Sequence, residues 1–241
     1  MKKTILSLVV LFLFSGVFGQ KRSNELQVLP FAKLDWYPEF TFNYGGRFSS
    51  DSLKMKGISW GININYKYAL QNSIKIIAGI GYYRYSFSNL RRINSSFGVS
   101  DTRPIEVLSF NNFFYHTNSY RYNTISLNIG VEKLFRLNQS LHLTGGFSLS
   151  NYLTFQSVYK TNFDGFVYKK KGSEIFAHSL TTEIGFEKEL GRLTLGPKLL
   201  IPVFGTWGKD EVFKENKNEN RSKWLNGIGI GLQLNYPLTK K

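Results

Sequence analysis

The last strand-like stretch of the chain, residues 224–236, alternates between two kinds of side chain. Read in order, every second residue from Trp224 to Tyr236 gives the series Trp, Asn, Ile, Ile, Leu, Leu, Tyr. The residues between them give the series Leu, Gly, Gly, Gly, Gln, Asn. A β-strand places the two sets on opposite faces, so one face is apolar with aromatic ends and the other is small and polar. This pattern is typical of a strand that faces lipid on one side and a crowded polar lumen on the other.

Seven further segments carry the same period of two. With the last one they predict strands at 34–45, 58–68, 73–87, 122–135, 141–153, 178–188, 193–203 and 224–236. Short connections (69–73, 136–139 and 189–192) alternate with long ones (46–57, 88–121, 156–174 and 205–223), as in outer-membrane barrels with periplasmic turns and extracellular loops. We therefore predict an all-β fold, an eight-stranded antiparallel up-and-down transmembrane β-barrel.

The segment 88–121 leaves one alternative open, because residues 105–115 have the composition of a strand. They would either extend the neighbouring strands or form a further hairpin, which would give ten strands. We favour extension, since an inserted pair would need another short periplasmic turn. A soluble, lipocalin-like barrel is disfavoured, because the large apolar faces would overfill an eight-stranded interior.

The N-terminus predicts export. Lys2 and Lys3 precede an apolar run that ends in small residues, which is the pattern of a cleaved signal peptide. We expect residues 1–19 to be this signal peptide and residues 20–241 to be one barrel domain. The chain has no cysteine, so it has neither a disulfide scaffold nor a thiolate metal site. Its net charge of +15 favours anionic lipid over nucleic acid as a partner of an exported protein.

Charged residues of both signs fall on the predicted lumen faces. We expect them to form ion pairs that fill the lumen and argue against a diffusion pore; they are Asp35, Glu39, Glu132, Glu183, Glu187, Lys67, Lys75 and Lys198.

No motif predicts catalysis, a cofactor or a metal site. The sequence around His178 is superficially similar to the His-x-Ser-Asn motif of the PagL-type lipid A deacylases. Here Ser179 directly follows His178, so the two side chains point to opposite faces, and Leu180 occupies the position that should hold the serine. His116 and His142 complete a set of three separated histidines without metal-ligand spacing. We expect a protein that is not an enzyme.

The long connections carry the remaining candidate contacts. Arg91 and Arg92 open the second one, and Lys169, Lys170 and Lys171 lie in the third. Arginine and lysine suit the phosphates of lipopolysaccharide, so we expect these residues to contact it, or to be only a solvated surface. An aromatic group in the second connection could dock a partner protein or lie inside extended strands; it comprises Phe110, Phe113, Phe114 and Tyr115.

The whole mature chain resembles the small outer-membrane β-barrels of the OmpA/OmpX type, in the version common in Bacteroidota. Gly231, Leu234 and Tyr236 match the spacing of the terminal signal read by the barrel-assembly machinery, although residues 237–241 follow the last aromatic. The resemblance implies the outer membrane of a Gram-negative bacterium, with lipid, lipopolysaccharide and the assembly machinery as partners. A related subgroup, the PorT-like barrels, assists secretion, but no motif places this chain in it.

The sequence thus predicts a structural or interaction barrel that presents its loops to lipopolysaccharide or to a partner in an envelope or secretion complex. The alternatives are a narrow, porin-like channel and, less favoured, a lipid A-modifying enzyme.

Overall fold

The structure, a computed structural model, describes residues 24–36, 40–42, 51–53, 56–70, 73–93, 114–161, 167–171, 176–207 and 221–238. The predicted signal peptide, residues 1–19, lies outside these ranges. No helix among the described residues is long and apolar enough to cross a membrane.

Twelve β-strands make up the described chain. They are β1 (Glu25–Trp36), β2 (Phe40–Phe42), β3 (Asp51–Leu53), β4 (Lys56–Ala69), β5 (Ile74–Ile93), β6 (Phe114–Arg136), β7 (Leu141–Thr161), β8 (Val167–Lys171), β9 (Phe176–Leu190), β10 (Leu193–Trp207), β11 (Arg221–Trp224) and β12 (Gly227–Pro237).

Eight of these strands close into a barrel, which confirms the predicted fold. Antiparallel pairing runs in the order β1, β4, β5, β6, β7, β9, β10 and β12, and β12 pairs back onto β1. β8 pairs with the end of β7 and β11 with the end of β10, so both prolong the barrel wall beyond the closed ring. β2 and β3 pair with each other in the segment between β1 and β4, so residues 40–42 of the first predicted strand are not part of the barrel wall.

The pairing register fixes the slant of the strands. A row of paired residues that leaves β4 at Ala69 passes through every strand and returns to β4 at Ser59, ten residues further along. Such a stagger accompanies strands that tilt by about 35–45° from the barrel axis. Because of this stagger, side chains that meet across the lumen come from strands that are not neighbours in the sheet.

The predicted start of the first strand was wrong. β1 begins at Glu25, whereas the alternation had indicated residue 34. Leu29 and Phe31 point into the lumen and are buried, so the apolar-out pattern fails in this part of β1. Pro30 also interrupts the strand pattern, because it has no N–H group to donate to a neighbouring strand. The pairing of β1 with β12 omits Leu29 and Pro30.

The strands around the second long connection extend, as we favoured, and no further hairpin enters the wall between them. β5 and β6 pair without interruption from Ile74 opposite Lys133 to Ile93 opposite Phe114. Residues 94–113 lie outside the described part of the chain, and with them Phe110 and Phe113.

The two faces of the wall differ as the alternation predicts. Outward apolar side chains are widely exposed, with Ile230 at 63% and Leu127 at 61%, whereas inward polar side chains such as Lys67 and Gln233 are fully buried. A soluble protein would have the opposite arrangement, because exposed apolar area is unfavourable in water. The barrel therefore presents a lipid-facing surface.

Candidate functional site: the filled lumen

A network of buried ion pairs fills the half of the lumen nearest the short turns. Glu132 lies at its centre: its Oε1 accepts a hydrogen bond from Lys67 Nζ at 2.7 Å, and its Oε2 accepts one from Lys198 Nζ at 2.7 Å. Lys198 Nζ also donates to Glu183 Oε2 at 2.8 Å, and Lys67 Nζ lies 3.4 Å from Glu187 Oε1. These ammonium and carboxylate groups are almost wholly shielded from water.

Further pairs extend the network towards the short turns. Lys75 Nζ donates to Glu25 Oε2 at 2.6 Å, so a residue that starts β1 reaches one that starts β5. His142 Nε2 lies 3.2 Å from Glu189 Oε1, whose side chain is about one third exposed, at the edge of the lumen.

All eight barrel strands contribute to this network. Charged members come from β1, β4, β5, β6, β9 and β10. β7 contributes Ser148, which donates to Glu183 Oε1 at 2.5 Å, and β12 contributes Asn235, which donates to Glu187 Oε1 at 2.8 Å. The network therefore ties the wall together across the lumen as well as along its ladders.

Buried amides join the charged network to the middle of the lumen. Asn65 Nδ2 donates to Gln27 Oε1 at 2.9 Å, and Gln27 Nε2 donates to Gln233 Oε1 at 3.3 Å. Higher up, Asn128 Nδ2 donates to Asn63 Oδ1 at 3.2 Å. Each of these bonds pairs a buried donor with a buried acceptor, which lowers the free-energy cost of burying the amides.

A second, aromatic layer closes the lumen on the side of the long connections. Tyr83 packs against Phe31 and Tyr152, with ring centroids 4.7 and 4.8 Å away, and Leu29 and Leu200 belong to the same buried cluster. Asn63 Nδ2 donates to the Tyr83 hydroxyl at 3.1 Å and so connects this layer to the amides below.

Lys33 and Asp35 lie beside the aromatic layer. Lys33 Nζ is 5.5 Å from the Tyr83 ring centroid and 5.8 Å from those of Phe31 and Tyr85, which are cation–π distances. Its ammonium is also 3.7 Å from Asp35 Oδ1. The layer therefore holds one lysine that is neutralised within the lumen.

Glycines make room for the long lumen side chains. Lys198 pairs with Gly185 on one side and with Gly231 on the other, and Lys33 pairs with Gly229. A Cβ on Gly185 would meet Gln233 Nε2 at 2.7 Å. The small residues on the polar face are thus a consequence of dense filling.

The structure brings most of the predicted lumen charges together. Lys67, Lys198, Glu132, Glu183 and Glu187 form one network; Lys75 and Asp35 lie in the lumen but pair with residues that the sequence reasoning missed. Glu39 lies outside the described residues.

Three lumen residues of β1 were missed: Glu25, Gln27 and Lys33. They lie at steps of two before Asp35, so counting backwards from Asp35 would have found them despite the apolar residues in between.

The structure places His178 and Ser179 on opposite faces of β9. His178 lies on the outer wall, where Nδ1 is 2.5 Å from Asn151 Oδ1, while Ser179 is buried in the lumen beside Thr181. Among the described residues, no group of three or more His, Asp or Glu side chains could hold a metal ion.

The basic clusters assigned to loops are in strands. Arg91 and Arg92 belong to β5, where they pair with His116 and Tyr115 of β6, so His116 is also a strand residue. Lys169, Lys170 and Lys171 belong to β8. The loop assignment was wrong because strand pairing continues beyond the apolar alternation, in segments whose polar composition resembles that of a loop.

The predicted assembly signal lies in β12. Leu234 and Tyr236 face outward and are exposed, whereas Gly231 faces the lumen, where an added Cβ would meet Leu29 Cδ1 at 2.7 Å. The two outward side chains therefore lie on the lipid-facing side of the wall.

No protein-family model matches the sequence, and no curated protein sequence matches it. Among solved structures, the chain is similar to Neisserial surface protein A, with 12% identity over 89% of this chain and 97% of that one and a TM-score of 0.42. Ail, the attachment invasion locus protein of Yersinia pestis, gives 11% identity over 89% and 98%, with a TM-score of 0.34. The outer membrane protease OmpT of Escherichia coli gives 10% over 93% and 99%, with a TM-score of 0.41. Similarities this low carry no argument about activity.

Proposed function

We propose that this chain is a non-enzymatic outer-membrane β-barrel with a closed lumen, which acts through its outer wall and its extracellular strand ends. Their partners would be lipopolysaccharide or another envelope protein. The observation that carries the proposal is the buried ionic network centred on Glu132, because it uses the lumen for packing and leaves the outer surfaces for binding.

The outer surface supports the membrane assignment. Tyr66 and Tyr68 of β4 and Tyr236 of β12 lie outward near the short turns, whereas Trp60 and Trp224 lie outward near the opposite end. Aromatic residues at both ends of an apolar band are the girdles of a membrane barrel. The strands prolonged beyond the ring, including β8 and β11, would then project from the extracellular side.

Planar-bilayer recording of the purified barrel tests the closed lumen. We expect no steady conductance, because the side chains around Glu132 are packed and buried in the lumen. Steady channel opening by the unmodified protein would contradict the proposal and favour the narrow channel.

Affinity purification after gentle detergent extraction tests the interaction role. A stoichiometric envelope protein would identify the barrel as a subunit of a complex, whereas recovery with lipopolysaccharide alone would favour a lipid-bound role. A soluble periplasmic protein in place of a membrane-extracted one would refute the localisation.

A further inference from the structure

Two arginines face outward near the extracellular end of the apolar band. Arg84 of β5 is half-buried and Arg121 of β6 is exposed. β5 and β6 pair Arg84 with Asn123 and Ser86 with Arg121, so the two arginines are diagonal neighbours on one face. Diagonal neighbours lie about 7–8 Å apart at their backbones, within reach of one ligand for side chains of this length.

Their height on the wall matches a lipid headgroup. Arg84 lies eight residues along β5 from Ile76, which pairs with Tyr68 of the lower girdle. This separation is about 26 Å along the strand, or about 20 Å along the membrane normal at a tilt of about 40°. Arg84 therefore lies close to the upper edge of an apolar band about 25 Å tall.

The surrounding side chains hold this patch in place. The Arg84 guanidinium carbon lies 5.7 Å from the Trp60 ring centroid, and Trp60 packs edge-on against Tyr82 at 5.9 Å. The Tyr82 hydroxyl donates to Asn123 Oδ1 at 3.0 Å, and Asn123 Nδ2 donates to Gln156 Oε1 at 2.7 Å. Gln156 is the acceptor in the last of these bonds, so its amide N–H groups are not used by this chain of hydrogen bonds.

The two arginines have no carboxylate partner within the described part of the chain. Two neighbouring guanidinium groups at a membrane boundary attract anions from their surroundings, and their planar geometry suits phosphate in particular.

We propose that Arg84 and Arg121, with Gln156 beside them, bind the phosphate groups of an outer-leaflet lipid of the lipid A class. The inference rests on the proposed function, which sets the orientation of the barrel. It adds a binding site on the wall below the strand ends. The apolar residues Ile80 and Ile125, four residues below Arg84 and Arg121 on the same outward face, would contact the acyl chains of the same lipid.

Reconstitution into phosphatidylcholine nanodiscs that contain lipid A, with or without its phosphates, tests the site. Native mass spectrometry then measures the lipid A retained by the released barrel. We expect the unmodified protein to retain the phosphorylated form at least about tenfold better, as one charge-assisted bond accounts for about that factor.

The double variant Arg84→Gln/Arg121→Gln should lose this preference, and Arg84→Lys/Arg121→Lys should retain part of it. Arg136→Gln/Arg192→Gln is the matched control, because it removes the same charge near the short turns and should change nothing. Equal retention of both lipids by the unmodified protein, or an undiminished preference in the Gln variant, would overturn the inference. If the barrel enters nanodiscs and does not conduct in planar bilayers, such a result refutes only this binding site. If the barrel fails to enter nanodiscs, the proposed function is refuted as well.

Discussion

The substitution Glu132→Gln tests how much the ionic network contributes to stability. Both carboxylate oxygens of Glu132 accept hydrogen bonds at 2.7 Å, one from Lys67 and one from Lys198. Glutamine has the same shape, but one oxygen becomes an NH2 group. Whichever way the amide faces, one buried ammonium loses an acceptor and meets another donor.

The structure indicates which lysine loses its partner and how large the effect is. Lys198 keeps Glu183 at 2.8 Å, whereas the other carboxylate near Lys67 is 3.4 Å away, so we expect the amide oxygen to face Lys67. Removing one partner of a buried ion pair destabilises a protein by about 3–5 kcal/mol. Because each lysine retains one carboxylate, we expect about 3 kcal/mol, at the lower end of this range.

Reversible urea unfolding in phospholipid vesicles, followed by tryptophan fluorescence, measures this free energy of unfolding. Glu189→Gln is the control: Glu189 is about one third exposed and lies 3.2 Å from His142, so we expect a change of at most about 1 kcal/mol. Equal free energies of unfolding for the two variants would refute the view that Glu132 is the centre of the network.

Three further predictions address catalysis, assembly and packing. His178→Ala should leave the lipid A of the cell unchanged by mass spectrometry, because no serine shares its face of the strand; an altered profile would favour the enzyme. Tyr236→Ala should lower the amount of barrel in outer-membrane fractions severalfold, and an unchanged amount would exclude Tyr236 from the assembly signal. Gly196→Ala should destabilise the barrel by about 3 kcal/mol, because its Cβ would strike the Phe186 carbonyl oxygen. Gly191→Ala, at φ +65° in open space, should cost about 1 kcal/mol, and an equal loss in urea unfolding would refute the packing argument.

The barrel could be predicted from sequence because its main signal is local. A strand alternates its faces whatever it pairs with, so segments such as 58–68 reveal their lipid side without knowledge of any neighbour. The alternation of short and long connections then supplies the order of the strands. β1 escaped this reasoning because its lumen face includes Leu29 and Phe31, which are apolar and buried by the aromatic layer.

The partners within the lumen could not be predicted, since they depend on the stagger of the whole ring. Glu132 and Lys198 are joined at 2.7 Å only because β6 and β10, which do not pair with each other, face one another across the lumen at this height. The outward patch around Arg84 was missed for another reason. Its residues Trp60, Arg84, Arg121 and Gln156 lie on four different strands, and no sequence motif connects them.

The two layers of the lumen lead to a last prediction about closure. The ionic layer around Glu132 and the aromatic layer around Tyr83 occupy different heights, and we expect each layer to close the lumen by itself. We expect Glu132→Ala/Lys198→Ala to remain non-conducting in planar bilayers, because the aromatic layer is intact. Tyr83→Ala/Tyr152→Ala should also remain closed, because the ionic layer is intact.

The variant that combines all four substitutions should show steady conductance, since both obstructions are then shortened. Its folding is checked by the heat-dependent mobility of the barrel on gels, and a folded but closed variant would refute closure by these two layers. Conductance in Glu132→Ala/Lys198→Ala alone would show instead that the aromatic layer does not seal. In that case the ionic network would be the gate of a narrow channel, and the proposal of a permanently closed barrel would be wrong.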